Sequence, residues 1–252
     1  MFGPFSPPSS DYFIDLALGK VPGQSGLSQQ ALRNNLTQTY TDVWGGPTDF
    51  LTYPAFGVAE SLEIVSDNVN DTAGGTGARL AVVTTLDANL VEQVNVVPLT
   101  AVSPAATAVP GTHRRTKGII IVQAGSSGVN EGTISLQAAG GGNVRNVVKP
   151  GFGASYDSHF TVPAGKQAVF ITTFSLMPKD GPGSIRTQFR DGNDPDGAWV
   201  SSGPIPLYQN IVTFVIRTAT PLGAGFDVRV QALVDTGDSG VFAVVEAVLA
   251  DV

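Results

Sequence analysis

The strongest constraint on the fold is a strict alternation of apolar and polar residues near the C-terminus. Every second residue in this stretch is apolar: Phe226, Val228, Val230, Ala232 and Val234. The positions between them carry Asp227, Arg229 and Gln231. Because side chains alternate between the two faces of a β-strand, this period predicts a strand with one apolar face and one solvent-facing face. Residues 241–249 are apolar except at Glu246, so we expect a second strand that is covered on both sides.

The same kind of pattern recurs through most of the chain. It predicts further strands at residues 62–66, 79–85, 92–97, 118–124, 133–138, 160–162, 167–176, 185–190 and 211–219. Each segment is bounded by Gly, Pro, Asn or Asp, which favour turns. Residues 28–33 are compatible with a turn or two of helix, and no longer stretch has a convincing helical period. Many short strands without intervening helices predict an all-β chain that folds as a jelly-roll-like β-sandwich.

The first 56 residues differ from the rest in composition. They are rich in Pro, Ser and other polar residues, with aromatic residues spaced among Gly and Pro. We therefore expect an extended N-terminal arm over residues 1–56 and a β-sandwich over residues 57–252, with a division into two lobes near residues 140–151 as an alternative. The arm residues predicted to contact a partner are Tyr12, Phe13, Trp44, Phe50 and Tyr53. Aromatic side chains commonly anchor interfaces, and these dock either on the chain's own sandwich or on a neighbouring subunit.

Charge limits the classes of partner. Only 14% of the residues are charged, against roughly 25% in an ordinary soluble domain. The net charge is −7 and the isoelectric point is about 4.7, so direct binding to nucleic acid is not expected. The one basic cluster is His113-Arg114-Arg115-Thr116-Lys117. It is interpreted as a solvated strand entrance that pairs with local carboxylates, or alternatively as a contact with an acidic neighbouring subunit.

The residue inventory restricts the chemistry of the chain. Cysteine is absent, which excludes thiol catalysis, iron–sulfur clusters and cysteine-based zinc sites. The two histidines do not favour a zinc site. No apolar run approaches the ~18 residues of a membrane span. We therefore expect no cofactor and no membrane partner.

Two acidic segments are candidate sites. Asp157 and His159 are two residues apart and lie on one face of an extended segment, where a structural hydrogen bond is favoured over half of a catalytic triad. No G-x-S-x-G motif is present, and no enzymatic activity is predicted. The turn at residues 191–197 is interpreted as exposed, with a weak calcium site as the alternative. The ligands of that site would be Asp191, Asn193, Asp194 and Asp196. Trp199 and Tyr208 flank the turn and leave a carbohydrate-binding module as another hypothesis.

Several turn segments carry a resemblance to a known class of protein. In the predicted sandwich, the segments are Asn70-Asp71-Thr72-Ala73-Gly74-Gly75-Thr76-Gly77-Ala78-Arg79, Leu86-Asp87-Ala88-Asn89, Gln123-Ala124-Gly125-Ser126-Ser127-Gly128-Val129-Asn130-Glu131-Gly132 and Phe160-Thr161-Val162-Pro163-Ala164-Gly165-Lys166. Nearer the N-terminus they are Asp11-Tyr12-Phe13, Gly19-Lys20-Val21-Pro22-Gly23 and Asp42-Val43-Trp44. Together, in this order, they resemble structural virion proteins of aquatic tailed phages and large algal DNA viruses.

The resemblance implies a virion component with a jelly-roll-like fold and no enzymatic activity. It implies an auxiliary capsid protein of the cement or decoration type, or alternatively a head or tail fibre protein. The expected partners are the major capsid protein or other virion subunits, and the expected oligomer is a homotrimer. The expected location is the virion, assembled in the host cytoplasm.

Overall fold

The computed structural model of the protein describes residues 12–46, 58–99, 106–176, 182–194, 197–208, 211–216, 221–235 and 240–252. The elements in chain order are α1 (Tyr12–Ala17), β1 (Gln24–Arg33), β2 (Thr41–Asp42), β3 (Glu60–Ser66), β4 (Ala78–Asp87), β5 (Glu92–Pro98), β6 (Thr107–Ala124), β7 (Ile134–Ala138), β8 (Val144–Val148), β9 (Phe160–Thr161), β10 (Lys166–Leu176), β11 (Pro182–Asp191), β12 (Val200–Ser201), β13 (Ile205–Tyr208), β14 (Ile211–Ile216), β15 (Phe226–Val234) and β16 (Val241–Asp251). The prediction of an all-β chain is confirmed.

Two antiparallel sheets pack face to face and form a β-sandwich. One sheet has the order β1-β16-β10-β14, and the other has the order β12-β11-β15-β2, with β13 pairing to β11 and β9 to β15. Successive strands of the C-terminal half cross between the sheets: β10, β14 and β16 lie in one sheet, and β11 and β15 lie in the other. This alternation is the connectivity of a jelly roll, so the predicted sandwich type is confirmed.

The sandwich core is built from the apolar faces of both sheets. Val228, Val230 and Ala232 of β15 pack in the same cluster as Ala243 and Val245 of β16, all of them fully buried. The expectation that β16 is covered on both sides holds only in part. Its second face is half-buried at Phe242 and Val244 and is open at Glu246.

Part of the predicted arm is a strand of this sandwich. β1 pairs antiparallel with β16 over ten residues, from Gln24 opposite Ala250 to Arg33 opposite Val241. The helical turn considered for residues 28–33 is therefore wrong, because pairing with β16 holds this segment extended. The α1 side chain of Leu16 lies against β1 at Gly26.

A second unit is a single six-stranded sheet with the order β5-β4-β6-β3-β7-β8. The register between β4 and β6 shifts at four places, and such bulges bend a sheet. The sheet therefore curls around its own apolar cluster, which contains Leu62, Ile119 and Leu136 and shares no residue with the sandwich core. We call this part the six-stranded unit.

Strand β6 differs most from its prediction, since it begins at Thr107 rather than at residue 118. Its first half pairs with β3 and its second half with β4. The basic cluster lies inside this strand, so the segment carries no apolar alternation that would have revealed it.

The glycine-rich segment near residue 140 is a hairpin turn. Gly140 and Gly141 have φ angles of 82° and 76° between β7 and β8, a region that glycine adopts without steric cost. The chain then passes from the six-stranded unit to the sandwich along residues 149–159. The division of the chain into an arm over residues 1–56 and a sandwich over residues 57–252, with two lobes split near residues 140–151 as the alternative, stays a prediction.

Candidate functional site

One face of the six-stranded unit presents apolar side chains to solvent. Val94 and Val96 on β5 are 62% and 60% exposed, and Ile120 and Val122 on β6 are 55% and 52% exposed. The half-buried Val82 on β4 lies opposite Val96 on one side and opposite Ile120 on the other. These five residues cross three adjacent strands, and we call them the apolar face.

The reverse side of the same strands belongs to the core. Val83, Val97 and Ile119 are at most 1% exposed and lie in the apolar cluster of the six-stranded unit. These strands are thus apolar on both faces, although only one face is covered. Contiguous exposed apolar patches commonly mark sites of interaction with other proteins. The apolar face is therefore the candidate interaction surface.

A buried carboxylate organises the loops at one end of the six-stranded unit. Asp71 is 1% exposed and accepts hydrogen bonds from the backbone N–H groups of Ala78, Glu131 and Gly132 at 2.7, 2.9 and 2.8 Å. These hydrogen bonds join two of the segments that carry the sequence resemblance into one loop cluster. The Asp71 carboxylate therefore fixes the two turns relative to each other.

A second buried carboxylate joins the six-stranded unit to the sandwich. Asp227 on β15 accepts hydrogen bonds from Nε and Nη2 of Arg115 at 3.1 and 3.0 Å. It also accepts hydrogen bonds from Nη2 of Arg190 at 2.9 Å and from the hydroxyl of Thr161 at 2.6 Å. Burial acts to raise the pKa of Asp227, but contact with His159 and Arg115 holds it well below its ordinary value of 3.8. The group is therefore a carboxylate that neutralises surrounding guanidinium groups.

The polar network extends along the same sheet face. Asp42 on β2 lies 3.2 Å from Nη1 of Arg229 and accepts a hydrogen bond from the Gln231 amide at 2.8 Å. Nε of Arg229 donates to the Gln188 side chain at 2.9 Å. The prediction that Asp227, Arg229 and Gln231 face solvent is wrong, since they are 0%, 5% and 4% exposed. The six-stranded unit and strand β2 cover this face, and partner side chains satisfy its polar groups.

Aromatic rings lie against guanidinium groups of this sheet face. Cζ of Arg186 is 3.9 Å from the centre of the Tyr40 ring. Cζ of Arg229 and Cζ of Arg190 are 4.0 and 4.6 Å from the centre of the Trp199 ring. Trp199 is half-buried in these contacts, which differ from the open aromatic platform of a carbohydrate-binding site. Tyr208 lies in β13, and its side chain is outside the described part of the structure.

The basic cluster is buried inside the molecule rather than solvated. His113, Arg114 and Arg115 are 2%, 9% and 2% exposed. Nη2 of Arg114 donates to the carbonyl oxygen of Gly192 at 2.9 Å, and Arg115 reaches Asp227. For these three residues, the prediction of a solvated strand entrance and the alternative of a contact with a neighbouring subunit are both wrong. Their side chains contact distant parts of the same chain. Desolvation by burial lowers the pKa values of His113 and Arg114.

Asp157 and His159 do not form a side-chain pair. Oδ1 of Asp157 accepts the backbone N–H of His159 at 2.9 Å, while Nε2 of His159 lies 3.7 Å from Oδ1 of Asp227. Desolvation raises the pKa of Asp157 well above 3.8 and lowers the pKa of His159 below 6.5. The arrangement agrees with a structural role for both groups.

The described residues of the acidic turn at residues 191–197 are held by hydrogen bonds within the turn and by bonds from Arg114 and to Ala224. Oδ1 of Asp191 accepts the N–H of Asn193 at 2.8 Å, and the carbonyl of Asp194 accepts the N–H of Gly197 at 3.0 Å. Asp196 is outside the described residues. Within the part of the chain that the structure describes, no three His, Cys, Asp or Glu side chains converge as metal ligands. The calcium site stays a prediction.

Two of the predicted arm contacts lie against the chain itself. The Trp44 ring is 3% exposed and packs with Val144 and Val147 of β8. The hydroxyl of Tyr12 in α1 donates to the side chain of Gln24 at 2.5 Å. The other three predicted contacts are not described at the level of side chains: Phe13 in α1, and Phe50 and Tyr53 outside the described residues.

A signal for the apolar face is present in the sequence. Residues 118–122 read Gly-Ile-Ile-Ile-Val, a run without the polar alternation of a half-exposed strand. Such a run predicts a strand covered on both faces, and here one cover is missing. The polar network also had a signal: Arg186, Gln188 and Arg190 alternate in the same period as Asp227 and its polar neighbours.

Comparisons with known proteins were made for the whole chain. No family model matches it, and no curated protein matches its sequence. Among solved structures, one similar chain comes from the naturally occurring empty particles of cowpea mosaic virus, with 9% identity, a TM-score of 0.22, and coverage of 75% of this chain and 82% of that chain. Another comes from infectious bursal disease virus Gt strain, with 11% identity, a TM-score of 0.22, and coverage of 95% and 78%. A chain of the VP2 subviral particle of infectious bursal disease virus has 12% identity, a TM-score of 0.19, and coverage of 99% and 79%.

These TM-scores are too low to establish a common fold or a function. Among the described residues, no helix is both long and apolar enough to span a membrane.

Proposed function

We propose that the chain is a structural virion protein, of the auxiliary capsid type that binds the outer shell and bridges capsid subunits. The observation that carries this proposal is the apolar face. Four of its β-branched side chains are more than half exposed, although side chains on the opposite face of the same strands are buried in the apolar cluster. A surface of this kind favours a chain that works while covered by another protein.

The sequence supports the same class of function. The segments that resemble structural virion proteins occur in both the sandwich and the six-stranded unit. Two of them meet around the Asp71 carboxylate, which makes them a shared structural feature rather than separate turns. The low fraction of charged residues, 14%, also suits a surface that other subunits cover in part.

In the proposed mechanism, binding energy comes from burial of apolar side chains at many equivalent sites. Complete burial of one Val or Ile side chain contributes roughly 1.5–3 kcal/mol. Repetition on a symmetric shell then multiplies the number of contacts without requiring a high affinity for each one. A homotrimer on a local threefold axis is the proposed oligomer, and Tyr12, Phe13, Phe50 and Tyr53 are the proposed arm contacts. Trp44 is omitted from this set because it is packed inside the chain.

The first experiment locates and counts the chain in purified virus particles from the source. Quantitative mass spectrometry should find hundreds of copies per particle if the protein covers the shell. A few copies per particle would instead support the head or tail fibre alternative. Absence of the chain from particles that contain their other structural proteins would reject a virion role.

The second experiment tests the apolar face directly. The double variant Val94→Ser/Val96→Ser should bind particles that lack the protein at least about tenfold more weakly, because two apolar anchors are lost. The matched control is Val69→Ser/Val200→Ser, which changes two valines that are 57% and 66% exposed elsewhere on the surface. The control should bind like the unchanged protein. Equal binding by both variants would remove the apolar face as the contact surface.

A further inference from the structure

The junction between the sandwich and the six-stranded unit combines buried polar contacts with one apolar contact, the Trp44 ring on Val144 and Val147 of β8. The two large apolar clusters share no residue, and the polar contacts between the units include Arg115 with Asp227 and Arg114 with Gly192. Purely apolar interfaces do not respond to pH, whereas a junction held by buried charges does. The charges that surround His159 make this junction sensitive to a single proton.

His159 lies on the segment that enters the sandwich from the six-stranded unit, and it is 2% exposed. Charged groups from three neighbouring strands lie near it. Asp227 comes from β15 at 3.7 Å, Arg115 from β6, and Arg190 from β11, while Asp157 precedes it by two residues. Two guanidinium groups already share the one carboxylate of Asp227. A protonated imidazole at this position would be a third buried cation against a single anion.

We propose that the junction is a lock released by acid, in which protonation of His159 separates the six-stranded unit from the sandwich while both units stay folded. The separate cores make this possible, because each unit keeps its own large apolar cluster when the polar contacts break and Trp44 leaves Val144 and Val147 of β8. The inference does not depend on the proposed virion function. It predicts a conformational response in the isolated chain.

The direction of the pH effect follows from the two states of His159. Desolvation lowers the pKa of the buried imidazole below 6.5, and solvent restores the ordinary value once the junction opens. Opening therefore takes up a proton, and the closed state is favoured above pH 6.5 and loses stability as the pH falls through that value. One proton changes the opening equilibrium by at most about tenfold per pH unit.

Asp157 acts in the opposite direction. Burial raises its pKa well above 3.8 in the closed state, so opening lowers the proton affinity of this carboxyl group. Acid therefore favours the closed state through Asp157 and the open state through His159. Replacement by Asn mimics the protonated carboxyl and removes this opposition. The variant Asp157→Asn should thus open more steeply on acidification than the unchanged chain.

The experiment measures the distance between the two units by fluorescence energy transfer. The chain has no cysteine of its own, so dyes can be placed at Ser126→Cys in the six-stranded unit and Val252→Cys in the sandwich, both of them exposed positions. The full-length chain is titrated from about pH 7.5 to about pH 4.5. We expect the transfer efficiency to fall with a midpoint below pH 6.5, while the β-sheet circular dichroism stays unchanged.

Variants separate the lock from general acid unfolding. His159→Gln should abolish the change in transfer efficiency, and Asp157→Asn should steepen it. His113→Gln is the control, because His113 is equally buried but contacts Thr85 within the six-stranded unit. If His159→Gln does not fold, the change in slope with Asp157→Asn still tests the proposal. A transition that persists in His159→Gln, that coincides with loss of the β-sheet signal, or that is missing in the unchanged chain would overturn it.

Discussion

Arg115 and Asp227 form a two-pronged ion pair across 112 residues of sequence, with N–O distances of 3.1 and 3.0 Å and side-chain exposures of 2% and 0%. The pair connects the longest strand of the six-stranded unit to a central strand of the sandwich. Neither residue can be solvated where it lies, so each depends on the other. This dependence makes the pair the most informative place to perturb the junction.

Replacing Arg115 with Met should lower the free energy of unfolding by about 3–5 kcal/mol, because Asp227 loses a partner while it stays buried. The double variant Arg115→Met/Asp227→Asn should recover part of this loss, since no buried anion is left without that partner. Urea denaturation of the single and double variants gives the coupling energy. Lys20→Met is the control, because its ion pair with Asp15 is exposed and should contribute at most about 1 kcal/mol. Strict additivity of the two junction substitutions would contradict the contact.

Asp227 should also dominate the acid dependence of stability below pH 4. Its pKa is lowered in the folded chain, so its contribution is present above 3.8 and is lost as the pH falls below that value. In a His159→Gln background, which keeps the junction closed, the chain with Asp227 should lose about 1.4 kcal/mol per pH unit more than the Asp227→Asn variant in this range. Denaturation series of both proteins between about pH 5 and pH 2 measure the difference, in which the other carboxyl groups cancel. Parallel stability curves would show that folding does not lower the pKa of Asp227.

Two adjacent glycines in the Asp71 loop cluster should respond differently to alanine. A Cβ at Gly75 would overlap the carbonyl oxygen of Asn70, whereas a Cβ at Gly74 has no atom within 4 Å. Gly75→Ala should therefore cost about 1–3 kcal/mol, and Gly74→Ala should stay within about 0.5 kcal/mol of the unchanged protein. Thermal denaturation of the two variants is sufficient to compare them. Equal melting temperatures would contradict the loop geometry.

Truncation distinguishes a removable arm from a strand of the sandwich. Deletion of residues 1–11 removes none of the described strands, so this shorter deletion serves as the control. Deletion of residues 1–33 removes β1 and exposes the edge of β16 over ten residues of pairing. Unpaired strand edges promote association between chains. Size-exclusion chromatography should therefore show aggregation of the longer deletion, and a monodisperse product would mean that β1 is dispensable.

The alternation of apolar and polar residues was sufficient to predict most strands, because it is visible within a few consecutive residues. The alternation from Phe226 to Val234 predicts β15 with its boundaries almost unchanged. The same reasoning missed β1, since its polar residues show no clear alternation and only pairing with β16 makes it a strand. It also missed the first half of β6, whose charged residues are buried by another part of the chain.

The sequence by itself determined that this protein is an all-β chain and which residues of β15 face its core, because side-chain direction in a strand follows from a period of two. Only the tertiary structure decided which polar residues are buried and which partners they contact. The sequence around Asp227 and Arg115 does not indicate that they form an ion pair. A charged residue has the same local sequence pattern whether it is solvated or paired with a distant residue of opposite charge. The same holds for the apolar face: Val96 and Val83 are indistinguishable by pattern, and only the curl of the sheet buries one and exposes the other.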